Sequence, residues 1–183
     1  MLQQILLLPE TSLDLVALVA DHHIDAVLRA LLIRRARYAL VVMDFRWDRP
    51  PNLRSPDQIQ EELRSRLSRS GWQDRCEVIV IDPEVEVWLW ADPHLIVEWL
   101  DPNRKYPIQS LFPVRNTKPA QPKEELDRII RQINHRYRLG VRMKTELYKW
   151  VAEKVPKRLL ETCADPAFSA LRWALSSWFG PWR

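Results

Sequence analysis

Four apolar residues in a row, Ile5 to Leu8, stand directly before Pro9 and predict a short buried strand, since the run is too brief for a helix. Leu13, Val16, Ala17, Ala20, Ile24, Val27, Leu28 and Leu31 then recur at helical spacing. They predict one long helix over 13–34, or two broken near His22–His23, capped by Thr11 or Ser12 with Asp14 in the first turn. Tyr38 to Met43 is wholly apolar and partly β-branched, which suits a second strand in the middle of a parallel sheet. Pro50, Pro51 and Pro56 make 45–56 a loop, after which Ile59, Leu63 and Leu67 restore the helical period over 57–70, ending near Gly71. Glu77 to Ile81 predicts the third strand.

Asp82-Pro83 has the form of an N-cap followed by a proline at the first helical position, and predicts a helix over 83–91. Asp92-Pro93 repeats the device and starts a helix through Leu100. Residues 101–122 hold five prolines and little periodicity. A connection of that length is uncommon unless it has a function. Three further helices are predicted over 123–137, 144–155 and 166–178. Strands alternating with helices argue for an α/β fold, a parallel sheet flanked by helices with a C-terminal helical extension. The expected organisation is a core over 1–101, a proline-rich connection over 102–122, and a basic helical extension over 123–183 packed on the core.

Composition narrows the function classes. The 183 residues are 46% apolar and 28% charged, an ordinary globular balance that argues against intrinsic disorder. No apolar run approaches the ~20 residues that span a bilayer, and the first residues lack the pattern of a secretory signal. Cys76 and Cys163 form neither a disulfide framework nor a zinc spacing, so a cytoplasmic location without membrane association is the expectation. Gly71, Gly140 and Gly180 are the only glycines, which excludes both GxGxxG and the Walker A loop and makes nucleotide hydrolysis by this chain unexpected. The four histidines show no ligand spacing. Charge is divided unevenly: residues 1–101 hold 11 Lys and Arg against 17 Asp and Glu, whereas residues 102–183 hold 17 against 7. An acidic half holding metal and a basic half tracking phosphates would produce that division. So would helices with solvated Lys and Arg on their outer faces.

In a parallel α/β sheet, sites form beyond the carboxyl ends of the strands. There the predicted strands deliver Glu10, then Asp44 with Asp48, then Asp82, Glu84 and Glu86. Carboxylates are hard ligands that suit Mg²⁺ or Mn²⁺, which polarise a phosphodiester and activate water. Each also has a plainer reading: Asp82 as a helix cap, Glu84 as a favourable charge on a helix dipole, Glu86 as one half of a surface ion pair. Asp44 is the hardest to explain away, because an acid ending an apolar strand needs a compensating partner.

These segments resemble a bacterial Toprim-like family of unknown function. The resemblance rests on Ile-Leu-Leu-Leu-Pro-Glu10, Leu-Val-Val-Met-Asp44 with Asp48, and above all Glu86-Val-Trp88-Leu89-Trp90-Ala91-Asp92, which matches an acid–x–Trp–Leu–x–Ala–Asp signature. Pro122-Lys123-Glu124 and Cys163-Ala-Asp-Pro-Ala-Phe168 are weaker later motifs, and the match extends over roughly 1–175. Such proteins are similar to the nuclease half of overcoming-lysogenisation-defect enzymes and are often encoded beside ATPases in phage-defence clusters. The resemblance implies metal ligands at Glu10, Asp44, Asp48 and Glu86, with Glu10 and Asp44 catalytic and Lys123 stabilising phosphate charge. Two departures are plain: Arg46 stands where the second acid of an Asp–x–Asp pair belongs, and Thr11 follows Glu10 where glycine is usual.

The expectation is therefore a Mg²⁺- or Mn²⁺-dependent nuclease, or a nuclease-like subunit, of an anti-phage defence system with a separate ATPase partner. Arg128, Arg131, Arg136, Arg138 and Arg142 would hold nucleic acid, DNA ahead of RNA. Trp178, Phe179 and Trp182 form the apolar surface expected to dock a partner. The nine tryptophans otherwise read as core or interface. Two alternatives stay open: a catalytically inactive Toprim-like scaffold subunit, to which Arg46 points, and a nucleic-acid-binding module without hydrolysis.

Overall fold

The computed structural model describes residues 15–19, 37–48, 51–113, 117–141, 147, 149–150, 153 and 162–180, with backbone alone at 15–19 and 47–48. Within them the chain is α/β, with a small parallel sheet and several helices. By internal packing it forms two compact units, one of Met1–Glu84 with Ala170–Arg183 and one of Val85–Ser169. The expected boundaries at 101/102 and 122/123 therefore both fall inside the second unit.

The first unit is built on strands β1 (Leu15–Val19), β2 (Tyr38–Asp44) and β3 (Cys76–Ile81), in the order β1-β2-β3 and all parallel. Strand β1 corrects the expectation of a helix beginning at 13. Leu15-Val-Ala-Leu-Val19 is a continuous apolar run that fits a helix face and a buried strand equally, and it pairs with Tyr38–Val42 in register. The strand expected at 5–8 lies outside the described residues. After β2, a single helical turn α1 (Phe45–Asp48) opens a segment expected to be loop. Helix α2 (Pro56–Arg69) follows, capped by Ser55, whose Oγ accepts from Gln58 N at 3.3 Å, while Gln58 Oε1 accepts from Arg54 N at 2.8 Å.

Alternation along the strands decides which side chains meet α2. Ala39, Val41 and Met43 of β2 and Val78 and Val80 of β3 cluster with Ile59, Leu63 and Leu67 of α2 and with Trp72, all buried. Leu40, Ile79 and Ile81, on the opposite parity, are buried as well, as strands of a parallel sheet covered on both faces require. Glycine is needed at Gly71, where α2 ends at φ 89° and the chain drops into Trp72. The Arg75 guanidinium lies 5.4 Å from the centre of the Trp72 ring.

In the second unit, the helix expected from Pro83 is a 3₁₀ segment over Val85–Ala91 instead. Asp82 and Pro83 lie in a bend, and the helical residues begin only at Val85. The second Asp-Pro pair behaves as expected. Asp92 Oδ1 accepts from His94 N at 3.3 Å and starts α3 (Pro93–Leu100). The long connection is ordered at its start by Asp101, which is buried. Its carboxylate accepts from Lys105 N at 2.9 Å and Tyr106 N at 2.7 Å. A 3₁₀ turn, Ile108–Leu111, then returns Ile108 to the core.

Helix α4 (Pro122–Tyr137) lays Leu126, Ile129, Ile130 and Ile133 on one stripe, packed with Leu89, Trp90, Leu95, Ile96 and Leu100. It ends at Arg138 in the left-handed region, φ 54°. Asn134 fixes the exit of the chain, its amide donating to Val141 O at 2.8 Å and accepting from Val141 N at 2.9 Å. Helix α5 (Pro166–Phe179) gives its first turn to the second unit and the rest to the first. Of the helix expected over 144–155, only Leu147, Lys149, Trp150 and Glu153 are described, and all four are helical.

Candidate functional site

The acidic rim exists in part. Parallel pairing sets Asp44, the last residue of β2, beside Ile81, the last of β3, and Asp82 and Glu84 follow at once. Asp44 and Asp82 are half-buried and Glu84 is 0% exposed. Arg46 enters this group from α1. Its backbone N donates to Pro83 O at 2.9 Å, and its Nη1 lies 3.9 Å from Glu84 Oε1. That separation is too long for a hydrogen bond and acts through charge. A carboxylate removed from water needs such a cation, because losing hydration costs several kcal/mol per ion (~5) without one. The guanidinium thus supplies positive charge at the sheet's carboxyl edge, the place where a divalent ion was expected.

The other expected ligands are distributed differently. Glu10 lies outside the described residues, and its assignment presumed that the first strand ended at Leu8. The described strand that precedes β2 and pairs with it is Leu15–Val19, and the first acid after it in the sequence is Asp21. Asp48 ends α1, with its backbone alone described. Glu86 belongs to the second unit, buried in the 3₁₀ segment. Among the described residues, no three His, Cys, Asp or Glu side chains gather as a group able to hold a metal ion.

The Glu86–Asp92 signature has a structural explanation. Trp88 Nε1 donates to Asp165 Oδ1 at 3.1 Å, and its ring meets Phe168 edge to face at 5.1 Å. Leu89 and Ala91 are buried, Trp90 Nε1 donates to Pro122 O at 3.3 Å, and Asp92 caps α3. Asp165 Oδ1 also accepts from Ala167 N and Phe168 N, at 3.0 and 3.2 Å, and so caps α5. Three motifs far apart in sequence, 86–92, 122–124 and 163–168, are tied together by these two indole N–H groups.

Lys123 is half-buried in the first turn of α4. Arg128 bonds Glu125 through two nitrogens, at 2.9 and 2.7 Å. That bond holds the Glu125 carboxyl below the usual glutamate value and raises the Arg128 guanidinium. Arg131, Arg136 and Arg138 are exposed, and Arg136 lies 5.5 Å from the centre of the Tyr137 ring. Arg142 lies outside the described residues.

Of the expected docking residues, Trp178 stacks on Tyr38 at 4.8 Å and Phe179 meets Tyr38 edge-on at 5.6 Å, so both help to hold α5 to the sheet of the first unit. Phe179 remains 50% exposed, while Trp173, which the sequence assigned to core or interface, is 68% exposed. Trp182 is outside the described residues. The Cys76 thiol is pushed up to about 11, chiefly by burial and then by the Glu77 charge, which keeps it neutral and a poor nucleophile at pH 7. Among the described residues no helix is long and apolar enough to cross a membrane. Compared with family models, with curated proteins and with solved structures, the chain has no significant match.

Proposed function

We propose that this chain is a non-cutting, Toprim-like subunit of a bacterial anti-phage defence system that works beside a separate ATPase. The observation that carries the reading is the Arg46–Glu84 pair at the carboxyl ends of β2 and β3. A guanidinium there supplies positive charge of the kind that a nuclease takes from Mg²⁺, but it cannot lower the pKa of a bound water as a metal does. The rim then serves to hold shape and charge, and hydrolysis is left to a partner. What supports the family reading is that the three motif segments, 86–92, 122–124 and 163–168, are joined by hydrogen bonds.

The test is a cleavage assay with Mg²⁺ and Mn²⁺ on single-stranded and duplex DNA and on RNA, using the full chain and its Asp44→Ala variant. The expected result is no metal-dependent product from either protein. Cleavage by the wild type that Asp44→Ala abolishes would overturn the reading and restore the metal-dependent nuclease. In the same series Arg46→Asp supplies the missing acid. A gain of Mn²⁺ binding by that variant, measured by titration calorimetry, supports the assignment of Arg46 to the metal's place.

A further inference from the structure

We infer that the second unit carries a docking surface for single-stranded nucleic acid, formed jointly by the exposed end of α4 and the loop over 102–106. The two segments meet through Tyr106 and Tyr137, whose ring centres lie 4.8 Å apart. Around that pair stand Arg104 and Lys105 from the loop and Arg136 and Arg138 from the helix end, all exposed. Among the described residues none of the four forms an ion pair, in contrast to Arg128, which is engaged by Glu125. From Arg128 through Thr145 the chain contains no Asp or Glu. The Arg136 guanidinium lies 5.5 Å from the centre of the Tyr137 ring, and its exposed plane is of the kind on which unpaired bases stack. The long connection singled out in the sequence thereby acquires a function, and its cations were not among those expected to touch nucleic acid.

A cleft beside the loop favours a single strand over a duplex. It has a volume of about 570 Å³ and is lined by His94, Glu98, Asp101, Arg104, Tyr106 and Gln109. Gln109 hydrogen-bonds the His94 ring, and Tyr106 forms a wall. The size is that of a small-molecule site and exceeds what one planar base needs. The exposed Glu98 repels phosphate at the cleft, whereas an acid and an amide can read the edge of a base. The arrangement therefore sorts the ligand: backbone phosphates on the four cations outside, one unstacked base within. A duplex keeps its bases paired and cannot use the cleft. The inference concerns the second unit alone and does not depend on the reading of Arg46.

The test is fluorescence anisotropy of a short labelled single-stranded oligonucleotide with the full chain at rising sodium chloride. Four phosphate contacts predict a slope of log K against log salt of about −3. Arg104→Gln with Lys105→Gln should roughly halve that slope, and Arg136→Gln with Arg138→Gln should do the same, with circular dichroism confirming that each variant is folded. Gln109→Ala should weaken binding without changing the slope. An unchanged slope in the loop variant overturns the joint surface. Equal affinity for a duplex of the same sequence overturns the role of the cleft. Displacement by polyglutamate as effective, charge for charge, as by oligonucleotide would point to an acidic protein and overturn the nucleic-acid assignment.

Discussion

At the carboxyl ends of β2 and β3 the charged side chains face one another, while at the end of α4 they face water. Glu84 is fully buried with Arg46 as its counter-charge, and Arg64 pairs with Glu77 on the same unit. In the second unit Arg131, Arg136 and Arg138 stand exposed. Both groups are equally conspicuous in the sequence as charge, but they have different consequences. A buried counter-charge is a condition of folding, and its loss is felt as instability. An exposed row of cations adds little to stability and remains available for a polyanion. The contrast is local to these two places, since the second unit also buries acids of its own, Glu86, Asp92 and Asp101.

The cores allow the sharpest attempt to break this division. Ile59→Ala in the first unit and Ile133→Ala in the second each remove a side chain with no exposure and should cost about 3 kcal/mol. Amide hydrogen exchange should show the loss confined to β2, β3 and α2 for the first variant, and to α3 and α4 for the second. Loss of protection across both units from either variant would make the division of the chain one of geometry only. Next in size is Arg46→Ala, which removes a nearby counter-charge from buried Glu84 and should cost about 2 kcal/mol in urea denaturation. Adding Glu84→Gln should recover part of that loss, since the neutral amide no longer needs a counter-charge. Arg136→Gln, by contrast, should change stability by less than about 0.5 kcal/mol.

The smallest effect sharpens the comparison within α4 itself. Arg128 is bound up locally by Glu125, and Glu125 is held below its ordinary value by that bond. The stabilisation is present above the ordinary glutamate pKa and is lost as the pH falls through the lowered folded value. In Arg128→Ala, an NMR titration should show the Glu125 carboxyl rising back towards 4.5. A carboxyl that stays low in the variant would mean that another group holds it.

What was legible in the sequence follows from the range of the forces involved. Strands β2 and β3 announce themselves as apolar runs, and α2, α4 and α5 as helical periods. The Asp92-Pro93 cap is a local device and could be read locally. Leu15–Val19 could not, because its apolar run fits two periods and only pairing with β2 decides between them. Asp82-Pro83 has the same letters as the true cap, yet the segment after it is a 3₁₀ helix that begins only at Val85. At the candidate site, the acids at the strand ends were visible, as was the anomaly of Arg46. Its engagement with Glu84 spans 38 positions and depends on strand order. The Tyr106–Tyr137 contact is similarly non-local, which is why Arg104 and Lys105 were passed over.

Asn134 bears on the chain that follows α4. With one side chain it both gives and receives a bond to the peptide of Val141, as a neighbouring strand would. Replacing its nitrogen by oxygen, as ageing of asparagine does, would set a negative oxygen against the Val141 carbonyl and turn attraction into repulsion. A single hydrolysed amide would then loosen the tie between the end of α4 and Val141.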